Sequence, residues 1–226
     1  MDLSPALILL TWVAGIAAGG AVVAWWRVVG PGYLWLTGGV VAVIGGLGAL
    51  AGGGRIAWLA VAVTVAGTVA ARMRTAASAA FAVAAILYAA SVWEGEAVAV
   101  ALLGTGILFL GGISTEMLLG HWFLVDPTLP RWTLNALDAV AAVGLILEVT
   151  VVTLAGALVF TGPDGVYGMV YVAMAGFCVL LMAGVWGSLR EPRYSGVMAA
   201  TGLSYLAVLV AFGVATIGRS LVGGGL

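Results

Sequence analysis

Residues 97–115 read AVAVALLGTGILFLGGIST, a stretch without a single charged side chain. As an α-helix it would rise about 1.5 Å per residue, which nearly matches the ~30 Å thickness of the hydrocarbon core of a bilayer. Comparable runs recur along the chain, separated by short segments that contain glycine, proline or charged residues. The sequence therefore predicts an all-α fold, a polytopic transmembrane helix bundle.

The overall composition supports a lipid environment. Hydrophobic residues make up 64% of the 226 residues, charged residues make up 8%, and the mean hydropathy is +1.23. An average soluble domain carries about 25% charged residues. These few charges cannot supply the polar surface of a soluble globule, so we expect a multi-pass protein of the cell membrane whose main partner is the lipid bilayer.

Turn signals and charges divide the chain into one integral membrane domain, residues 1–226, with eight spans. The divisions fall at Gly30 to Gly32, Gly52 to Arg55, Arg72 to Thr75, Trp93 to Glu96, Asp126 to Arg131, Gly162 to Gly165 and Arg190 to Ser195. The predicted spans are about 6–29, 33–52, 55–72, 75–93, 97–123, 132–160, 166–189 and 196–219.

The arginines predict the orientation of these spans. If the gaps alternate sides, one side has only Arg55 and Arg219, and the other collects Arg27, Arg72, Arg74, Arg131, Arg190 and Arg193. Positive residues are retained on the cytoplasmic side of membrane proteins. We therefore expect the arginine-rich side inside and both termini outside.

Several classes of partner and chemistry are excluded by composition. The net charge of −1 and the absence of basic runs exclude a nucleic-acid partner. The chain has no lysine, which excludes a lysine Schiff base. Its single cysteine, Cys178, excludes an intramolecular disulfide and a cysteine metal cage, and no metal ligands are predicted. No known catalytic motif indicates an enzyme.

The two halves of the chain differ in polarity. Comparison of spans one to four with spans five to eight reveals no convincing sequence repeat of the kind found in many transporters. The first four spans are almost pure Ala, Val, Gly and Leu, whereas spans five and six carry ionisable side chains. Any functional site is therefore expected in the second half.

Spans five and six bring two acidic residues to a similar depth. His121, the only histidine, lies near the cytoplasmic end of span five, and Glu116 lies about 7–8 Å deeper. Span six runs the other way, which places Asp138 about 9 Å in and Asn135 nearer the surface. Because a short loop joins these spans, we expect antiparallel neighbours whose two acids can meet.

Glu148 extends this arrangement by about 15 Å beyond Asp138, on the same broad helix face. Glu116 and His121 are five residues apart and point in different directions, unless the helix unwinds near Gly120. Ionisable groups inside a span cost about 2.5–3.5 kcal/mol, so they usually face a bundle interior or a wet cavity. The predicted proton-relay or ligand-binding residues are Glu116, His121, Trp122, Asn135, Asp138 and Glu148.

Three functions are consistent with these residues. The first is a membrane subunit for quinone-linked electron transfer or proton handling, in which His121 bonds a quinone carbonyl beside Trp122 and the acids relay protons. Its partners would be other membrane or respiratory subunits or a second copy in a homodimer. Haem is disfavoured because one histidine cannot supply two axial histidines.

The second function is a small proton-coupled solute or ion transporter that uses the same acids. The third is a structural or assembly anchor without catalysis, in which the polar residues only hold the helices together. In that case Glu116 would bond to a neighbouring hydroxyl or carbonyl, and His121 and Asn135 would simply lie among the lipid headgroups.

Overall fold

The structure is a computed structural model that describes residues 4–161 and 165–224. The described residues contain eight α-helices and no β-strand, which confirms the all-α class. The helices are α1 Pro5–Trp26, α2 Pro31–Gly48, α3 Gly54–Val69, α4 Arg74–Ser91, α5 Ala97–Trp122, α6 Trp132–Leu154, α7 Gly165–Leu189 and α8 Tyr194–Gly223. Each predicted span therefore corresponds to one helix.

Among the described residues, six helical stretches are long and apolar enough to cross a membrane, so this is an integral membrane protein. One of the six, Pro31–Arg72, is folded back on itself as α2 and α3. The reversal occurs at Gly52 and Gly54, whose φ angles of 122° and 68° suit a residue without a Cβ atom. Helix α4 is the shorter apolar helix outside the six.

Several helix ends differ from the predicted spans by three residues or more. Helix α1 ends at Trp26 rather than near residue 29, because Arg27 takes a left-handed conformation with φ 59°. Helix α6 ends at Leu154 rather than near residue 160, and the chain continues without helix to residue 161. The turn predicted at Gly162 to Gly165 lies almost entirely outside the described residues.

The surface of the bundle is apolar on the helix faces. Large hydrophobic side chains point outward along the helices, including Val69, Leu154, Leu180 and Leu209, each more than two-thirds exposed. A soluble protein rarely exposes large contiguous apolar patches. Lipid tails are the environment that accepts such a surface, and the backbone polar groups are satisfied within the helices.

The helices form two similar four-helix halves. In the first half α1 packs on α2 and α4, and α3 packs on α2 and α4. In the second half α5 packs on α6 and α8, and α7 packs on α6 and α8. Although the sequence comparison predicts no repeat, the pattern of helix contacts is the same in both halves.

The two halves join where α1 and α5 run parallel in close contact. Gly15 on α1 faces Gly111 on α5, and one turn further on Gly19 faces Thr115. A Cβ atom on Gly15 would lie 2.6 Å from the Gly111 Cα atom, and one on Gly111 would lie 2.4 Å from the Gly15 Cα atom. Only glycine permits the two backbones to approach so closely.

Aromatic contacts at one end of the bundle repeat the relation between the halves. Trp26, at the end of α1, packs edge-on against Trp132 at the start of α6, with ring centroids 5.0 Å apart. Trp122, at the end of α5, packs against Tyr33 near the start of α2, with centroids 6.3 Å apart. Each half therefore places the end of its first helix on the second helix of the other half.

This same end of the bundle carries most of the arginines. We call it the arginine-rich end; it contains Arg27, Arg72, Arg74, Arg131, Arg190 and Arg193. Arg74 donates to the Arg27 carbonyl at 3.1 Å, and Arg131 donates to the Pro192 and Arg193 carbonyls at 2.7 and 2.9 Å. These contacts join the loops of each half.

The sequence-based placement of Arg219 was wrong. It was assigned to the end of the bundle opposite the arginine-rich end. Its side chain instead points from α8 into the interior of the bundle, where it is 1% exposed. Arg55 remains exposed at the opposite end of the bundle. The difference in surface arginine between the two ends is therefore larger than the sequence indicated.

We expect Gly15→Ala and Gly111→Ala to lower the free energy of unfolding by about 1–3 kcal/mol each, because the new methyl group overpacks the contact between α1 and α5. Gly104→Ala is the matched control, since Gly104 lies on α5 with no other atom within 4 Å of its Cβ position. Unfolding by denaturant in lipid–detergent micelles measures the difference. Equal stability of all three variants would contradict the close contact.

Candidate functional site

The interior of the second half contains two groups of polar residues. The first, which we call the carboxyl pair, is Glu116 on α5 and Asp138 on α6. The second, which we call the ion-pair cluster, is Thr105 on α5, Glu148 on α6, Tyr171 on α7 and Arg219 on α8. All six residues are buried, and the carboxyl pair is the group nearer the arginine-rich end.

Glu116 is buried without hydrogen bonds from the described residues that would offset the loss of its hydration. Its side chain is 1% exposed, and neither carboxyl oxygen has a hydrogen-bond partner among residues 4–161 and 165–224. The hydroxyl of Ser204 on α8 lies beside Glu116 and donates to the Ala200 carbonyl at 2.8 Å. A carboxylate in this position is stabilised only by a bound proton or a cation.

Asp138 lies close enough to Glu116 for the two carboxyl groups to interact electrostatically. Each residue is six positions from the end of its helix, or about 9 Å in depth. Helices α5 and α6 are antiparallel neighbours, as predicted, with Gly112 packed on Ala141. This packing brings two acidic groups together without an arginine beside them.

Asn135 lies one helical turn from Asp138, toward the arginine-rich end. Its Nδ2 atom donates to the Arg131 carbonyl at 3.4 Å, and its Oδ1 atom is buried without a partner. On the other side Asp138 approaches the buried thiol of Cys178 on α7. Asn135 is thus one of the polar side chains between the carboxyl pair and the end of the bundle.

In the ion-pair cluster, by contrast, the charges are compensated. The Nη1 atom of Arg219 donates to Glu148 Oε1 at 2.5 Å and to the Ala215 carbonyl at 2.9 Å. Its Nη2 atom donates to the Leu102 carbonyl, and the Thr105 hydroxyl donates to Glu148 Oε2. A buried ion pair of this kind is tolerated because hydrogen bonds satisfy the remaining polar atoms.

Two further features complete the ion-pair cluster. Gly106 makes room for the guanidinium group, since a Cβ atom there would lie 2.3 Å from Arg219 Nη2. Tyr171 approaches both charges from α7, and its buried hydroxyl has no hydrogen-bond partner. Thr105, Tyr171 and Arg219 were not predicted as site residues. The signal in the sequence was the position of Arg219 inside the last apolar run.

An apolar core separates the two polar groups. Glu148 is ten residues beyond Asp138 on α6, or about 15 Å. The space between them is filled by buried Phe109, Ile113, Leu145 and Ala211. The sequence predicts that Glu148 extends the arrangement of Glu116 and Asp138, but in the structure packed hydrophobic side chains separate Glu148 from the carboxyl pair.

His121 does not join the carboxyl pair. Helix α5 continues without a break to Trp122, so the unwinding considered at Gly120 does not occur. The exposed His121 ring places its Nδ1 atom 3.3 Å from the Tyr205 hydroxyl. Trp122 packs against Gly32 and Tyr33 of α2. These two residues therefore lie at the end of the bundle, apart from the buried acids.

Comparison of the chain with family models, with curated proteins and with solved structures found no match.

Removing one member of the buried ion pair should be much more costly than removing one member of an exposed pair. We expect Arg219→Met or Glu148→Met to lower the free energy of unfolding by about 3–5 kcal/mol, because the partner is left unpaired in the core. Arg193→Met is the control: it breaks the exposed Arg193–Glu191 pair, 3.9 Å apart, and should cost about 1 kcal/mol or less.

The double variant Glu148→Met with Arg219→Met should recover most of the lost stability, since no buried charge remains unpaired. Denaturant unfolding of the four variants in mixed micelles measures both effects. Additive losses in the double variant, or a loss in Arg193→Met as large as that in Arg219→Met, would refute the assigned pairing.

Proposed function

We propose that this chain is a proton-handling protein of the cell membrane, in which Glu116 and Asp138 take up and release protons. The observation that carries the proposal is the burial of both Glu116 carboxyl oxygens, which have no hydrogen-bond partner in the part of the chain that the structure describes. The neighbouring Glu148 shows that the fold can supply an arginine and a threonine to a buried acid. The carboxyl pair lacks both, which favours a group that changes its protonation state.

The proposal includes eight membrane spans with both termini outside. The alternating directions of the eight helices and the collection of six arginines at one end support this topology. The carboxyl pair then lies in the cytoplasmic half of the membrane. Asn135, between Asp138 and the arginine-rich end, is the polar side chain past which a proton would reach the cytoplasm.

Cysteine labelling in intact cells tests the topology, starting from a Cys178→Ala background. We expect Arg55→Cys to react with a membrane-impermeant maleimide from outside, because the turn between α2 and α3 reaches the outer surface. Ser195→Cys, at the arginine-rich end, should react only after permeabilisation. If Pro31–Arg72 were one span, residue 55 would lie within the membrane and would not react from either side.

Three alternatives to the proposed function make different use of these residues. A proton-coupled transporter is supported by the ion-pair cluster. The apolar core lies between this cluster and the carboxyl pair, so the cluster would block access to the pair from the end opposite the arginine-rich end. Quinone-linked electron transfer would use His121 and Trp122, the last two residues of α5. A structural or assembly anchor would leave Glu116 and Asp138 without a chemical role.

Proton flux into liposomes that contain the purified protein tests the proposal. With a potassium diffusion potential and a trapped pH-sensitive dye, we expect wild-type liposomes to acidify faster than protein-free liposomes. Glu116→Gln and Asp138→Asn should reduce the rate to the protein-free leak, because an amide cannot exchange a proton in this way.

The matched controls are Glu191→Gln, which removes an exposed acid at the same end, and His121→Ala. Both should retain the wild-type rate. A wild-type rate equal to the protein-free leak, or full flux in both carboxyl variants, would reject proton handling by this pair. A loss of flux in His121→Ala alone would favour the quinone alternative.

A further inference from the structure

A lipid-facing groove runs between α6 and α7 and reaches the carboxyl pair. Its first part, of about 200 Å³, is lined by Asp138 together with Leu145, Ile146, Val179, Met182 and Trp186, among others. Past Leu145, Ile146 and Val179 it continues into a second depression of about 380 Å³ that ends near Tyr171. Trp186 and Tyr171 are fifteen residues apart on α7, so the groove is about 22 Å long.

Asp138 is the ionisable residue among the side chains that line the first part of the groove. Its side chain is 4% exposed, and within the described residues no hydrogen bond or ion pair to it is found. Glu116 lies behind it on α5 and adds a second acidic group. The groove thus combines apolar walls with one acidic side chain, which carries a negative charge once it has lost its proton.

The chemistry of the lining restricts the class of ligand. A small inorganic cation needs several oxygen ligands, and the remaining lining residues of the first part are apolar or aromatic. An anionic lipid would place like charges together. The Trp186 ring already contacts a cation of the protein itself, because the Arg190 guanidinium group lies 5.7 Å from the ring centroid. Asp138 is therefore the lining residue that would bind the positive charge of a ligand.

We propose that the groove between α6 and α7 binds a lipophilic organic cation, with the positive charge at Asp138 and the apolar part extended along the groove toward Tyr171. The ligand would enter sideways from the lipid, since the groove faces the bilayer. The inference rests on the proposed function in that Asp138 must lose its proton to bind the cation. Cation and proton would then compete for the same carboxyl group.

Tetraphenylphosphonium and tetraphenylborate test this proposal, because they have nearly the same size and apolar surface but opposite charge. With wild-type protein in lipid nanodiscs and no pH gradient, equilibrium dialysis should show saturable binding of tetraphenylphosphonium at one site per chain. Tetraphenylborate should show only the partition measured with empty nanodiscs.

Asp138→Asn should weaken tetraphenylphosphonium binding by about thirtyfold or more, as expected for removal of a buried charge partner. Ala183→Leu keeps the carboxyl group and fills the groove, because Ala183 lines its first part, so it should also weaken binding. Ala139→Leu, at an exposed position of α6, is the size-matched control and should bind as wild type. An unchanged circular dichroism spectrum confirms that each variant is folded.

Equal uptake of the two probe ions, or unchanged binding in both Asp138→Asn and Ala183→Leu, would overturn the inference. The outcome is separable from that of the proposed function. Proton flux without saturable tetraphenylphosphonium binding rejects only the cation site. Saturable, Asp138-dependent binding without proton flux rejects only the proton-handling function.

Discussion

In a bilayer, lipid tails are as apolar as the helix surfaces, so helix association depends on close van der Waals contact rather than on the hydrophobic effect. The contact of Gly15 with Gly111 meets this requirement at the centre of the molecule. It joins two four-helix halves whose contacts otherwise lie mostly within each half. The placement of α5, and with it of Thr105 and Glu116, therefore depends on two residues without side chains.

The second half uses buried polar residues in two opposite ways. Around Glu148 the charge is balanced by Arg219 and the remaining acceptors are hydrogen-bonded. Among the described residues, Glu116 has neither an ion-pair partner nor a hydrogen-bond partner, although the same helices surround it. Stability alone would favour an apolar residue at position 116, since a buried acid without a partner costs free energy. This contrast, more than the presence of acids, is why the carboxyl pair is the centre of the functional proposal.

Much of the fold could be predicted from the sequence, because the thickness of the bilayer requires apolar helices of nearly fixed length. Apolar runs of that length predict the helices, and the glycines before Arg55 predict the turn between α2 and α3. The depth of Glu116 and Asp138 followed from the helical rise alone. The parallel contact of α1 with α5 could not be predicted from the sequence. It joins residues 96 positions apart that share no pattern other than small size.

The pairing of Glu148 with Arg219 was missed for a related reason. The two residues are 71 positions apart, and nothing local distinguishes an arginine that pairs inside a helix from one that caps the end of a span. The predicted separation of Glu116 from His121 held because helix geometry sets it. Whether His121 faced the site depended on the path of the chain at Gly120, which sequence does not specify.

Infrared difference spectroscopy of the protein in lipid tests the central claim most directly, that Glu116 and Asp138 exchange protons. Between alkaline and acidic buffer, the account predicts that a carbonyl stretching band of protonated carboxylic acid appears. It should lose intensity in Glu116→Gln and again in Asp138→Asn, with no such loss in Glu191→Gln. A difference band that is identical in wild type and in both carboxyl variants would contradict the account.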